Sequence, residues 1–590
     1  MPERPGSVTP MAIFKNWWVR FTLTLLVLVG CHLVYGGIFS QLPSSTMPSD
    51  SQPDRVEGFL QTVWDGKAAP VDLDPLLRGK GLCWVSGYRG GYPATHQLSM
   101  WKSRGSALSQ LLADPQLREM EAVEVGLATT LKNYNHEPVA RHEVGLWGLL
   151  FRCTSGDLCL VPAEFSRRSL LPEIQSIKFR GERTVLRQAK FQAWSWVLRR
   201  DSEYLPRLMV RGESLVPPDS ISRETISQAA REIAEYEQRM VKQKNGLLPY
   251  TFILATGVSS EDERNMVKVC LGSLSLASYA RFTGREADRQ IAELHLKTMI
   301  ARFGHRFEGR ASITDSEVAW LGPQALFGQA LRTLPRPDLF CQKFEQELAQ
   351  TVLDCLQPDG HFLSSLAVPG SPPPEVLDIE KDENQNPFPG MALMYLTRRS
   401  QEDAALVPLP TLDRALKYYL DRFRRRPDKA AVPWLTEACR QRFRIDQDRL
   451  SAENVFLLAD WNLDNIQDWN SMEAQMRGAV INPERLQYGA SCFTSDVGCQ
   501  LQGLVAAHSV ALAKGDQART KRYSTAILEM SRYLRQLQIR QKGDLYWLPT
   551  NLRESPQGGL RDALWTSKMS VDSSASALNA WTEWLSTTAK

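Results

Sequence analysis

The chain reads as mainly α-helical: a ring of helical hairpins, preceded by a small α+β unit and by an N-terminal transmembrane helix. Three observations predict this. Residues 21–39, FTLTLLVLVGCHLVYGGIF, are nineteen uncharged and mostly apolar residues, long enough to span a bilayer's hydrocarbon core. From about residue 220 one helix signal follows another and strand signals nearly vanish. The connections between those helices are irregular and long, which favours a closed ring of inner and outer helices over a solenoid with repeats of about 33 to 47 residues.

At the N-terminus, Arg4, Lys15 and Arg20 precede the apolar run against one acid, Glu3, whereas Asp50, Asp54 and Glu57 follow it. The positive-inside bias then leaves residues 1–20 in the cytoplasm, with residues 21–39 a single pass through the inner membrane and the bulk of the chain periplasmic. Two rivals are a cleaved signal peptide and a lipoprotein signal at Cys31, after Leu28, Val29 and Gly30. Apolar character continues through Leu33, Val34, Tyr35, Ile38 and Phe39, where a processed signal turns polar, so the uncleaved anchor is preferred. Residues 40–56 are rich in Ser and Pro and form a linker.

Residues 57–215 mix strand-like runs (81–86, 143–151, 158–161) with helix-like stretches near 106–120 and 186–200, a small α+β domain. Cys153 and Cys159 flank a TSGD turn and are either bridged or two buried thiols. Residues 220–588 are the helical ring. Ser260 and Glu263 read as a capping box before a helix through Val267, Leu271 and Leu274 that stops at Thr283-Gly284; a second helix opens at Glu286. The same helix, turn, helix unit recurs at 505–538 and more loosely at 391–424, with further helices at 317–333, 339–356, 429–442, 451–463 and 569–586. Between them Ala367–Gly390, 24 residues with six prolines, is too long to be mere connection.

Composition narrows the chemistry. With 590 residues, 43% hydrophobic, 23% charged and a net charge of +4, the chain is ordinary globular material with no global field for nucleic acid. The one dense basic run, Arg422–Pro427, is first a solvated helix end and second a patch for acidic polymer or lipid headgroups. Ten cysteines, nine of them after the anchor, are too sparse for a disulfide scaffold. They and the eight histidines show no metal-ligand spacing, and no nucleophile elbow, phosphate loop or dinucleotide fingerprint occurs, so neither metal nor cofactor is expected.

The phrases TGREADRQIAELHLKTMI, KGDQARTKRYSTAILEM, NPFPGMALMYL, NVFLLADWNLD and PQGGLRD resemble those of the six-hairpin (α/α) toroids, glycoside-processing proteins of bacteria, over about residues 225–588. The resemblance implies a central cavity at the inner-helix ends, where aromatic rings stack sugars and carboxylates do acid, base or nucleophile work. It also implies a Glu after the PG of the third phrase, where this chain has Met391.

Hydrolysis of a glycoside needs two carboxylates across a sugar. The candidates are Asp315 and Glu317, which also suit the capped first turn of a helix; Asp359 in QPDGHF beside His361; Asp460 and Asp464 around Trp461; and Asp496. The segment Gln557–Asp562 follows, where Gly558 and Gly559 permit a tight turn or close approach to ligand, with Trp434, Trp461, Trp547 and Trp565 as candidate stacking surfaces. The expected function is binding or processing of an envelope or exported polysaccharide, by a hydrolase, lyase or epimerase if by an enzyme. The alternative is a non-catalytic scaffold with envelope protein partners. Convergence of two or more of these acids in one aromatic-lined cavity separates the two. Loop 367–390, the Asp359 turn and the QGGLRD segment are expected around one mouth.

Overall fold

The structure is a computed structural model describing residues 53–68, 74–99, 103–133, 147–153, 156–168, 185–200, 206–210, 213–217, 220–260, 265–368, 379, 381–466, 477–480, 493–540 and 542–588. The expected cytoplasmic stretch, the anchor and nearly all of the linker lie outside them. Among the described residues no helix is long and apolar enough to cross a membrane.

The N-terminal unit is built on an eight-stranded antiparallel sheet: β1 (Cys83–Arg89), β2 (Tyr92–Ser99), β3 (Ala122–Asn133), β4 (Trp147–Cys153), β5 (Gly156–Leu160), β6 (Val185–Arg199), β7 (Pro206–Val210) and β8 (Glu213–Ser214). The order is β2-β1-β3-β6-β4-β5, with β7 beside β6 and β8 beside β7. Helices α1 (Pro53–Trp64), α2 (Pro75–Arg78) and α3 (Arg104–Leu112) cover one face, packing Phe59, Leu60 and Leu108 onto Val85, Val125 and Trp196. A fourth helix, α4 (Pro162–Arg168), follows β5. The expected helix at 186–200 is strand β6. Its aromatic and β-branched residues (Phe191, Trp194, Trp196, Val197) pair with β3 along one side and with β4 and β7 along the other, and that pairing overrides the local helical spacing. In the β4–β5 hairpin Leu150, not Cys153, faces Cys159, whose buried thiol is free, so no bridge joins the two.

Among the described residues twelve α-helices follow. Outer α5 (Arg223–Gln243), α7 (Glu286–Phe303), α9 (Leu339–Asp354), α11 (Leu409–Arg425), α13 (Arg449–Asn465) and α15 (Gln517–Leu537) alternate with inner α6 (Met266–Thr283), α8 (Leu321–Thr333), α10 (Phe388–Ser400), α12 (Val432–Asp446), α14 (Thr494–Lys514) and α16 (Val571–Thr587). Each inner helix packs on the next, and α16 packs back on α6, so the ring is closed. Outer helices are amphipathic, as in α11, where Leu412, Ala415, Leu416, Tyr419 and Leu420 form one buried stripe; inner helices are buried nearly all round. Close approach is bought with small residues: a Cβ on Gly498 of α14 would lie 2.2 Å from Ser576 Oγ of α16, and one on Gly390 of α10 2.6 Å from Trp434 of α12. Within the ring the described strands are short: β9 (Thr251–Ile253), β10 (Val258–Ser260), β11 (Gly304–Phe307), β12 (Arg310–Ile313), β13 (Val318–Trp320), β14 (Ser365–Ala367) and β15 (Lys568–Ser570).

Two expected caps are corrected. Ser260 ends β10, and the N-cap of α6 is Asn265, whose side chain accepts from the Val267 and Lys268 amides. Helix α8 starts at Leu321, after β13, with Trp320 at its N-cap, so Asp315 and Glu317 are exposed and precede that strand rather than standing in the helix's first turn. The stop at Gly284 is as expected, a left-handed C-cap with φ 64°. In the basic run Arg424 bonds Asp421 and Asn454 and Arg422 is buried, the behaviour of a helix end.

The sheet unit docks on the ring through residues 542–553. Buried Glu124 of β3 accepts from Tyr88 and Tyr546 at 2.8 Å and pairs with Arg167 at 2.9 Å; Arg199 meets Asp544 at 2.6 Å.

Candidate functional site

The inner helices alternate with outer ones, so all six run the same way and their N-terminal ends gather at one end of the ring. There they enclose a cavity of about 870 Å³. Its wall takes Lys268 and Leu271 from α6, Phe388 and Met391 from α10, Trp434 from α12, Asp496 and Cys499 from α14, and Asp572 and Ser573 from α16. The loops add Asn384, Phe493, Asp562 and Trp565. Helix N-termini favour negative charge, and three carboxylates stand here.

Asp572, in the first turn of α16, is 5% exposed, and its Oδ2 lies 3.2 Å from Lys268 Nζ. Its Oδ1 is buried and has no hydrogen-bond partner among the described residues. Desolvation lowers the Lys268 ammonium, but the Asp572 charge and Tyr250 outweigh it and hold Lys268 above its ordinary range. Asp562 accepts from the Ser570 amide at 2.6 Å, from Ser570 Oγ and from Ser573 Oγ at 2.8 Å. Burial first, and then the like charge of Asp572, raise its pKa against those bonds. Asp496 pairs with Lys429 Nζ at 2.5 Å. Phe493, 38% exposed, meets Trp565 edge to face at 6.2 Å, and Trp434 closes the wall, largely buried. A carboxyl whose pKa burial raises, beside a carboxylate paired with a lysine, is the material of general acid–base chemistry, and the rings offer a sugar an apolar face.

Of the expected residues, Asp496 and Trp434 converge here, together with Trp565 and the last residue of the QGGLRD segment, Asp562. Loop 367–390 reaches the mouth through Asn384. The others do not line this cavity. Asp460 bonds Arg519, Arg522 and Tyr523 of α15, and Asp464 bonds Arg522, tying α13 to α15 on the outside of the ring. Trp461 packs half-buried against Phe423 of α11. Asp359 is 61% exposed and holds His361 Nδ1 at 2.6 Å in a turn seated on α11, where a Cβ on Gly360 would lie 3.0 Å from Arg414 O. Gly558 and Gly559 are glycines for packing: an added Cβ would lie 2.1 Å from Glu232 O of α5 at Gly558 and 2.2 Å from Met569 Cε of β15 at Gly559. Trp547 is buried under Arg167 at the sheet unit. Sequence reasoning missed Asp572 and Lys268, because an acid in a first turn and a lysine on an apolar helix each have an ordinary structural explanation. Among the described residues no group of His, Cys, Asp and Glu is arranged to hold a metal ion.

No protein-family model matches the chain, and no curated protein is significantly similar to it in sequence. Solved structures are similar in arrangement. The ring is similar to glycoside-processing (α/α) toroids. Unsaturated glucuronyl hydrolase from Bacillus sp. GL1 is 13% identical, with 60% of this chain and 96% of that one covered and a TM-score of 0.42. Cellobiose 2-epimerase from Bacillus thermoamylovorans is 10% identical over 62% and 98%, TM-score 0.45. A GH76 α-mannanase from Bacteroides thetaiotaomicron is 7% identical over 62% and 98%, TM-score 0.41. The closure of the ring in this chain rests on its own inner-helix packing.

Proposed function

We propose that the cavity at the N-terminal ends of the inner helices binds a saccharide of an envelope or exported polysaccharide, and that Asp572 and Asp562 act on it as an acid–base pair. The observation that carries this reading is the buried, unpartnered Oδ1 of Asp572 in a cavity walled by Phe493, Trp565 and Trp434. Leaving a buried carboxylate oxygen unpaired costs on the order of 1–3 kcal/mol, and a sugar hydroxyl would satisfy it. In this reading Asp562 gives a proton to a leaving oxygen while Asp572, held by Lys268, orients or deprotonates the attacking group. The test is Asp572→Asn, Asp562→Asn and Phe493→Ala, each checked for folding by thermal melt, with binding and turnover measured on a panel of bacterial polysaccharides. Loss of turnover with binding kept in the two Asn variants supports an enzyme.

A binding-only ring is the second reading. It is favoured by the three hydrogen bonds that tie Asp562 to the start of α16 and by Met391 standing in the wall at the place where the sequence resemblance implies a Glu. Weakened binding in Phe493→Ala, with no turnover by any protein tested, supports it. The apolar run 21–39 supports the proposal that the protein works from the outer face of the inner membrane. A reporter active only in the cytoplasm, fused after Lys590, is then inactive.

A further inference from the structure

The opposite end of the ring holds a second cavity, of about 900 Å³, lined by the C-terminal halves of the inner helices. Four arginines line it, Arg281 of α6, Arg398 of α10 and Arg440 and Arg444 of α12, against two carboxylates, Glu437 and Glu583. Arg440 bonds both carboxylates and Arg444 bonds Glu583. Among the described residues Arg281 and Arg398 have no carboxylate within salt-bridge distance, and the Arg398 guanidinium bonds Thr333 Oγ1 at 2.9 Å. Cations in a last helical turn complement the helix dipole, which explains one arginine per helix. It does not explain two guanidiniums that, among the described residues, form no ion pair and face one cavity, with Glu437, Glu402 and Glu583 acting on them only from beyond contact. Desolvation first, and then Arg281 and Arg332, lower the Arg398 pKa to about 10, while Arg440 lowers that of Arg444. A second kind of observation points the same way. Asn579 of α16, 5% exposed, lines this cavity, and both its side-chain polar atoms are buried and have no hydrogen-bond partner among the described residues.

We propose that this C-terminal mouth is a second ligand site, for a small molecule bearing an oxyanion, carboxylate or phosphate, with Arg281 and Arg398 as its charge partners and the Asn579 amide as a neutral donor. Planar guanidiniums suit either group, since each offers paired N–H donors to two oxygens. Charge, hydrogen-bond donors and room are all present, and none of these residues belongs to the other cavity. The site therefore stands whether or not the saccharide reading holds.

The test is thermal melting and calorimetry of the full chain with inorganic phosphate, with glucuronate and with uncharged glucose, at matched ionic strength. The expected result is stabilisation and millimolar or tighter binding by phosphate, glucuronate or both, and none by glucose; which anion binds identifies the source of the oxyanion. Arg281→Gln and Arg398→Gln each weaken that binding by about tenfold or more. If Arg398→Gln does not fold, Arg281→Gln decides alone, since Arg281 is exposed and makes no ion pair among the described residues. Absence of binding by both anions, or unchanged binding in the variants that fold, overturns the proposal.

Discussion

Lys268 and Asp572 form a 3.2 Å ion pair across the junction of α6 and α16, the first and last inner helices, so the contact that closes the ring also sits in the wall of the candidate site. Stability and site chemistry are thereby joined in one pair of residues. Removing the lysine strands a buried carboxylate, whereas neutralising the carboxylate leaves a lysine able to reach solvent. Lys268→Ala is therefore expected to destabilise by about 1–3 kcal/mol and Asp572→Asn by less, as read by urea denaturation. Equal losses would show that the pair contributes through packing alone.

Asp460 provides the contrast. Its partners Arg519, Arg522 and Tyr523 all belong to α15, so Asp460→Asn is expected to cost about 1 kcal/mol of stability and to leave saccharide binding unchanged. Calorimetric titration of parent and variant with the same glycan decides this.

Two buried groups set opposing pH dependences. Burial pushes Glu237 up to about 8 from an ordinary 4.5, so between those values the unfolded chain has released a proton that the folded chain keeps, and stability falls as pH rises. Burial pulls His295 down to about 4 from an ordinary 6.5, so there the unfolded chain holds the extra proton and stability falls as pH falls. From pH 4.5 to 6.5 the two slopes cancel, and above 6.5 only the glutamate acts. Glu237→Gln is expected to remove the decline between pH 6.5 and 8, which for one proton amounts to about 2 kcal/mol. Denaturation midpoints across that range check it; an unaltered slope rejects the assignment.

The docking of the sheet unit has its own test. Gly91, in the β1–β2 turn with φ 91°, lies where a Cβ would be 2.2 Å from the Leu548 carbonyl, so both conformation and space exclude a side chain. Gly91→Ala is expected to cost about 2–4 kcal/mol and to expose residues 542–553 to protease while the ring stays helical by circular dichroism. Unchanged proteolysis would show that this contact does not hold the two units together.

The ring was legible because helical hairpins announce themselves locally: Gly284 marks a stop, Glu286 a start, and the apolar spacing shows which side is buried. The sheet strand at 185–199 was not, since its identity comes from partners on both sides that are far along the chain. The site was half legible. Asp496, Trp434, Trp565 and Asp562 stand beside turns that a reader notices, whereas Asp460 and Asp464 attracted notice for their spacing and answer to arginines some 60 residues away. Asp572 gave no signal at all, because its distinction lies in the oxygen left unpaired, and only packing reveals that.

Closure between α6 and α16 also fixes an order of events. About 300 residues separate the two helices, and during synthesis the apolar flank of α6 emerges long before the surface that covers it. A nascent chain interrupted before residue 571 is thus an open arc with two sticky edges rather than a smaller ring, and two such arcs can complete each other. The expected failure of C-terminally truncated chains is pairing between molecules, at a rate that climbs with concentration, rather than simple unfolding.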